Sequence, residues 1–305
     1  AEYLDLLSVL GVEALIGDEA KEFVTPVELF KPDLVITSPG FRPDSKAILW
    51  AKSQGLEIWT DIDLAWRLRD KVGRPADWIC VTGTNGKTTT VQLATHILQQ
   101  AGLRAEACGN IGVPILDCIR NEDGFDVLVV ELSSFQLHYL GEIKPFASAV
   151  LNIDLDHIDW HGSLAEYQKA KGKVYENTKV ACVFNAADKA TIKLVEDADV
   201  VEGCRAIGFG LGSPDRAEIG YVEDILIDRA FVESYDEAAP VADFKDIEAI
   251  GVLTPHLLAN VAAATAVARA AGIDRQRIRH AIRNFRLDRH RIELVGEQAG
   301  IRWFD

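Results

Sequence analysis

Short apolar runs rich in β-branched residues alternate along this chain with stretches whose apolar positions recur every three or four residues. Residues 33–37 (DLVIT) form one such run, ending in Ser38-Pro39-Gly40, and read as a buried strand that delivers a turn. KAILWAKSQG follows with helical spacing, LEIW reads as a second strand and DIDLAWRLRD as a second amphipathic helix. Residues 71–77 (KVGRPAD) are polar, contain Gly and Pro, and set a first domain boundary. From Trp78 stronger strands follow: WICV, DVLVVE at 126–131, SAVLNI at 148–153 and VACVF at 180–184. Uninterrupted runs of this kind suit a sheet covered on both faces. RAIGFG and EIGYVEDILIDRAFV read as antiparallel edge strands, and two helices, LLANVAAATAVARAAG and DRQRIRHAIRNF, close the region. The alternation predicts an α/β fold with a mainly parallel sheet, without internal repeats.

Composition narrows the function classes. With 48% hydrophobic residues in 305, the chain can bury two cores. Its 47 acidic against 32 basic residues give a formal charge of −15, which opposes general attraction to nucleic acid or to an anionic membrane. An anionic substrate would therefore need a locally basic site. Five cysteines without a CxxC pair suggest a reducing compartment. No apolar run approaches the roughly 18 residues of a membrane span, and the first residues lack a basic signal-peptide region, so a cytoplasmic protein is expected. There is no methionine, and the last residues, Ile301 to Asp305, read as the middle of a strand, so the expectation is either a chain shortened at both ends or a longer protein of which some residues are not included.

The most chemically pointed segment follows the strand at Trp78–Val81. Thr82-Gly83-Thr84-Asn85-Gly86-Lys87-Thr88 is glycine-rich, and Val91, Ala94, Ile97, Leu98 and Ala101 then recur at helical spacing. Strand, glycine loop and helix N-terminus make an anion site, because unpaired N–H groups and the helix dipole converge there. Lys87 would reach the terminal phosphates and the Thr88 hydroxyl would bind magnesium. Only two residues separate Gly83 from Gly86, where the general phosphate-loop pattern has four; an ordinary tight turn is the alternative.

Three later segments offer partners. Glu131, the first polar residue after DVLVV, stands where α/β sheets place ligands; the alternative is a strand-end carboxylate in water. Asp154, Asp156, His157, Asp159 and His161 fall within eight positions after another strand end, and alone read equally as a transition-metal cluster. Ser163 with Glu166 makes a capping box that starts a helix. At about 100° per residue, Lys171 then lies within roughly 40° of Tyr167 and near Val174 on the apolar face, with Lys169 and Lys173 pointing away. That leaves Lys171 either a buried functional amine or a stem that snorkels to water.

TGTNGKTT resembles the ATP loop of the Mur ligases and the related folylpolyglutamate synthases. Gly109-Asn110-Ile111-Gly112, Glu131-Leu132-Ser133-Ser134-Phe135-Gln136-Leu137, Leu151-Asn152-Ile153 and Asp156-His157-Ile158-Asp159 extend the likeness, and ELSSFQL is most similar to the D-glutamate-adding branch. The resemblance implies three domains: a remnant of an N-terminal Rossmann-like domain over 1–74, a central P-loop ATPase-type domain over 75–288, and the first strands of a largely absent C-terminal domain over 289–305. It implies ATP at Gly83, Thr84, Asn85, Gly86, Lys87, Thr88 and Thr89, with Asn260 and Arg291 on the nucleotide side. It also implies two magnesium ions held by Thr88, Glu131, His157 and a carbamylated Lys171. The implied substrates are UDP-N-acetylmuramoyl-L-alanine, met by Gly40, Asn110, Ser133, Gln136 and His157, and D-glutamate, joined by a monomeric enzyme through an acyl phosphate, with Lys87, Glu131, His157 and Lys171 as the catalytic set. Read locally, Asn110 could serve only a turn, Asn260 a helix cap and Arg291 solvent. The family commonly has His-Asn where this chain has His256-Leu257. Two rivals stand beside this reading, a superfamily ligase for another amino acid or for folate, and a nucleotide-binding module without catalysis.

Overall fold

Strands β1 (Leu34–Ile36) and β2 (Glu57–Trp59) pair in parallel, Val35 opposite Ile58, and helix α1 (Lys46–Ser53) connects them, burying Ile48 and Ala51. This βαβ unit belongs to the first of two compact units, Ala1–Thr60; the second is Asp61–Asp305. The structure, a computed structural model, describes residues 7, 9–12, 31–71, 74–234 and 236–286, and the backbone of two strands at 294–298 and 301–304. Gly40 lies in the exposed turn after β1.

The second unit opens with α2 (Asp61–Leu68) and is built on a nine-stranded sheet. In chain order it contains β3 (Asp77–Thr82), α3 (Lys87–Gln100), β4 (Ala105–Gly109), α4 (Ile115–Arg120), β5 (Val127–Glu131), α5 (Ser134–Tyr139) and β6 (Ala147–Val150). Next come α6 (Ile158–His161), α7 (Leu164–Gly172), a 3₁₀ turn (Lys173–Tyr175), β7 (Ala181–Asn185), α8 (Lys189–Glu196) and β8 (Arg205–Phe209). The segment ends with β9 (Glu218–Val222), β10 (Ile225–Asp228), β11 (Ala239–Asp243), α9 (Phe244–Glu248), α10 (Pro255–Ala270) and α11 (Arg275–Asn284), before an antiparallel hairpin of β12 (Leu294–Gln298) and β13 (Ile301–Phe304). The spatial order is β11-β10-β9-β8-β7-β6-β3-β5-β4. All pairings from β4 to β9 are parallel, and β10 and β11 add antiparallel strands at one edge.

Alternation along the strands divides two cores. Ile79, Val81, Val129 and Val183 face one cluster, which α3, α10 and α11 cover; Trp78, Cys80, Leu128 and Val130 face another, with Ile62 of α2 and Leu137 of α5. Of the apolar positions expected on α3, Val91, Ala94, Ile97 and Leu98 are buried, whereas Ala101 falls at its C-cap and is only partly buried. α10 is alanine-rich and buried along most of its length, because small side chains let it lie against both α3 and the sheet.

Four expectations need correction. RAIGFG is not an antiparallel edge: it is β8, parallel to β7 and flanked on its other side by β9. Its glycine and short apolar run hid a central strand; Gly208 is needed because a Cβ there would meet the Glu218 side chain at 2.8 Å. The strand expected over 148–153 stops at Val150, and Leu151–Ile153 leave the sheet toward the glycine loop after β3. Ser163 caps α7 by accepting from Glu166 N at 3.2 Å, without the reciprocal half of the expected box. Lys173 does not point away into water, because the helix tightens after Gly172 and its Nζ donates to the His138 carbonyl at 2.8 Å.

Candidate functional site

β3 is flanked by β5 on one side and β6 on the other, so the carboxyl ends of three neighbouring parallel strands open at one place. α/β sheets bind ligands at such switch points. The loop Gly83–Gly86 leaves β3 there. Gly86 adopts φ +82° and precedes α3 with no side-chain cap, so the helix presents its first-turn N–H groups to the loop. The two loop glycines are sterically fixed: a Cβ at Gly83 would lie 2.9 Å from Leu151 Cβ, and one at Gly86 would lie 2.3 Å from Asn260 Oδ1.

Lys87 curls over this loop, its Nζ donating to the carbonyls of Gly83 at 2.9 Å and Thr84 at 2.7 Å. Burial holds its pKa below the ordinary lysine value, with Glu131 and Asp156 pulling it back up. Thr88 Oγ1 donates to Glu131 Oε2 at 2.9 Å, and Asn110 Nδ2 donates to Glu131 Oε1 at 3.0 Å. Glu131 is only 2% exposed, and no basic group lies in ion-pair range among the described residues. Asn110 thus does more than shape a turn, since it orients the carboxylate; its own N–H also binds the Glu131 carbonyl. Thr84 Oγ1 shares a hydrogen bond with Tyr167 OH at 2.9 Å and accepts from Asp154 N. Thr89 is half-buried in the first turn of α3.

Lys171 is the most unusual group in the fold. It is 2% exposed, and its Nζ donates to the Gly83 carbonyl at 2.8 Å and to Thr82 Oγ1 at 3.3 Å. Its charge is also 4.9 Å from the Tyr167 ring centre. Burial first, and then the Lys87 charge, lower its pKa to about 7, against the opposing pull of Asp156 and Glu131. The snorkelling alternative is therefore not realised, whereas Lys169 is exposed.

His157 begins α6 with φ +50°, half-exposed, its Nε2 3.3 Å from Asp156 Oδ2 and its ring 4.6 Å from Phe135. Phe135 also packs on Trp160 and His161, which ties ELSSFQL to the segment around His157. His161 is buried, with Nε2 3.0 Å from Ser134 Oγ; burial and the neighbouring His138 depress its pKa to about 4. No three His, Cys, Asp or Glu side chains converge into a metal cluster among the described residues. The crowded 154–161 segment thus does not form a transition-metal site by itself.

Ser133 and Gln136 form a full capping box on α5: Ser133 Oγ accepts from Gln136 N, and Gln136 Oε1 accepts from Ser133 N. Asn260 sits in the second turn of α10, where Thr254 is the cap, and its amide lies over Gly86. Leu257 is buried in the core. Arg291 lies outside the described residues, and Gly40 belongs to the first unit. Two contacts had no role assigned from sequence. Tyr167 holds Thr84, and Asn152 grips the backbone of Asn85. A tyrosine one turn before Lys171 was the available signal for the first; the second needs a side chain to meet a loop 67 residues away.

Residues 81–268 match the Mur ligase middle domain. The chain is 51% identical to the UDP-N-acetylmuramoylalanine–D-glutamate ligase of Leifsonia xyli over 98% of its own length and 60% of that protein, and 46% identical to the Streptomyces avermitilis protein of the same name over 98% and 62%. It spans about three-fifths of the length of these curated relatives. Among solved structures, the MurF ligase of Thermotoga maritima in complex with ADP superposes with a TM-score of 0.57 at 20% identity, covering 96% of this chain and 66% of that one. A UDP-N-acetylmuramoyl-L-alanyl-D-glutamate–2,6-diaminopimelate ligase superposes with a TM-score of 0.61 at 19% identity, covering 87% and 62%. These likenesses carry the fold, while the domain match and the two relatives carry the lineage: the chain belongs to the Mur ligase family.

Proposed function

We propose that this chain carries the ATP-binding and carboxylate-activating centre of a cytoplasmic, monomeric ligase that joins D-glutamate to UDP-N-acetylmuramoyl-L-alanine in peptidoglycan precursor synthesis. The observation that supports it best is the convergence of Lys87, Thr88, Glu131 and Lys171 on one glycine loop at the mouth of the parallel sheet. In this reading the central domain runs over 75–288, between a Rossmann-like segment at 1–74 and the start of a third domain at 289–305.

In the proposed reaction the lactyl-alanine carboxylate takes the terminal phosphoryl group of ATP and ADP leaves. The amine of D-glutamate then attacks the acyl carbon, the C–O bond to phosphate breaks and the amide forms. Such chemistry rests on alignment and charge neutralisation. Lys87 would turn from the loop carbonyls toward the phosphates. The first-turn N–H groups of α3 and residues Gly83 to Thr89 would hold them, with Asn260 and Arg291 on the nucleotide side.

A buried carboxylate whose partners are a hydroxyl and an amide suits a hard divalent cation. Thr88 and Glu131 would hold one magnesium, and His157 with carbamylated Lys171 a second; bound there, magnesium supplies positive charge against the phosphoryl oxygens. An amine with pKa about 7 is substantially neutral at neutral pH, so its lone pair can add to CO₂ and lose a proton, leaving a carbamate. Gly40, Asn110, Ser133, Gln136 and His157 remain the proposed contacts to the nucleotide sugar; Ser133 and Gln136 would also set its platform through the capping box. No helix among the described residues is long and apolar enough to cross a membrane, and the charge of −15 disfavours nucleic acid as a partner.

The test is phosphate release from ATP by the intact protein with UDP-N-acetylmuramoyl-L-alanine and a panel of amino acids. Sustained release only with D-glutamate is expected. Release with another amino acid instead would move the chain to a different branch of the family.

A further inference from the structure

Asn152 stands just past β6, in a segment anchored from the far side by β7 and the residues that follow it. Asn185 Nδ2 donates to the Leu151 carbonyl at 3.1 Å, and Asp188 Oδ2 accepts from Ile153 N at 2.8 Å. The backbone on either side of Asn152 is therefore pinned, and its side chain reaches the opposite way. There Asn152 Oδ1 accepts from Asn85 N at 2.8 Å and Asn152 Nδ2 donates to Asn85 O at 3.0 Å, while the Asn152 carbonyl accepts from Thr84 N at 3.1 Å. A carboxamide that meets both backbone groups of one residue acts as an extra ladder rung. It fixes the position and rotation of that peptide where a hydroxyl or a carboxylate, lacking either the span or the donor, cannot.

The residue so held lies in the middle of the phosphate loop, directly before Gly86, whose φ of +82° sets the entry into α3. We infer that Asn152 is a positioning residue for the nucleotide: it splints the Thr84–Asn85 peptides so that the loop is shaped for phosphate before phosphate arrives. Asn185 and Asp188 brace the splint, relaying it from the end of β7. The inference rests on the nucleotide-binding reading above and adds a determinant of ATP affinity that never touches ATP.

Equilibrium binding of magnesium–ADP, with ATP turnover, tests it on the intact protein. Wild-type protein that fails to bind ADP would sink the nucleotide reading itself, which separates that failure from this one. Given binding, Asn152→Ala should weaken ADP and raise KM for ATP about ten-fold, as loss of two backbone-directed hydrogen bonds implies. KM for the nucleotide-sugar substrate should change less than about two-fold, since those contacts are not involved. Asn152→Asp should be at least as damaging, because it keeps one acceptor, loses the donor and sets a negative charge beside the loop. A variant that melts earlier yet binds ADP like wild type would overturn the proposal and leave Asn152 a stabilising residue only. Wild-type amide exchange gives a second reading that needs no variant: without ligand, the Asn85 and Thr84 amides should exchange about a hundred-fold slower than an open chain. Open-chain rates there would also overturn it.

Discussion

A methyl group on Gly86 would sit 2.3 Å from Asn260 Oδ1, on a backbone whose φ of +82° already disfavours any side chain. Gly86→Ala must therefore rotate the loop, push Asn260 aside, or both. We expect ATP turnover to fall about ten- to a hundred-fold with the far-ultraviolet dichroism unchanged, since strain of this kind costs about 1–3 kcal/mol and is concentrated at the glycine loop. Near-normal turnover would mean the loop tolerates the shift. At Lys171, the short contact to the Gly83 carbonyl and the burial fix the amine beside the loop. Lys171→Ala should abolish turnover and be partly restored by short carboxylates that occupy the place of the proposed carbamate, whereas Lys169→Ala, at an exposed position, should be nearly silent. Equal loss in both variants would remove the carbamate from the account.

At the scale of elements, the aromatic contacts of Phe135 with His157, Trp160 and His161 join α5 to α6, and the buried His161 shares a hydrogen bond with Ser134. With its folded pKa near 4 against an ordinary 6.5, His161 takes up its proton more readily in the unfolded chain. Its contribution to stability is full above about pH 6.5 and is lost as pH falls toward 4. Melting temperature should drop over that window, and the slope should flatten in His161→Gln; an unchanged slope would contradict the burial argument. Elements of this kind divide what the chain reveals locally from what it hides. β3, β5, β7 and α3 were legible because a full strand or helix period of apolar residues is buried. β8 was not, because parallel or antiparallel direction is a property of its neighbours and not of RAIGFG. α5 was missed because its capping signal, Ser133 with Gln136, lies inside a motif that also suggests ligand contact. In the site, the place of Lys171 on the apolar face was legible from helical phase, but its burial in preference to snorkelling was not, and Asn152 holds a loop whose distance along the sequence gives no hint of contact.

At the scale of the whole molecule, a chain of formal charge −15 gathers two lysines at one point, and the topology explains how. β3 enters the sheet between β5 and β6, so segments separated by up to 89 residues in sequence come within hydrogen-bond range: Thr82 and Gly83 with Lys171, Thr88 with Glu131, Asn85 with Asn152. In the proposed function Lys87 is the positive charge that meets a polyphosphate at this one mouth, while the net charge of −15 leaves the chain as a whole unattractive to anions. The most direct test of this arrangement is a crystal structure of the intact protein with a non-hydrolysable ATP analogue and manganese, read by anomalous scattering. A manganese peak is expected beside Thr88 and Glu131, with the triphosphate cradled by Gly83 to Thr88 and Lys87 turned onto it. A triphosphate bound elsewhere, or a manganese peak distant from Glu131, would contradict it.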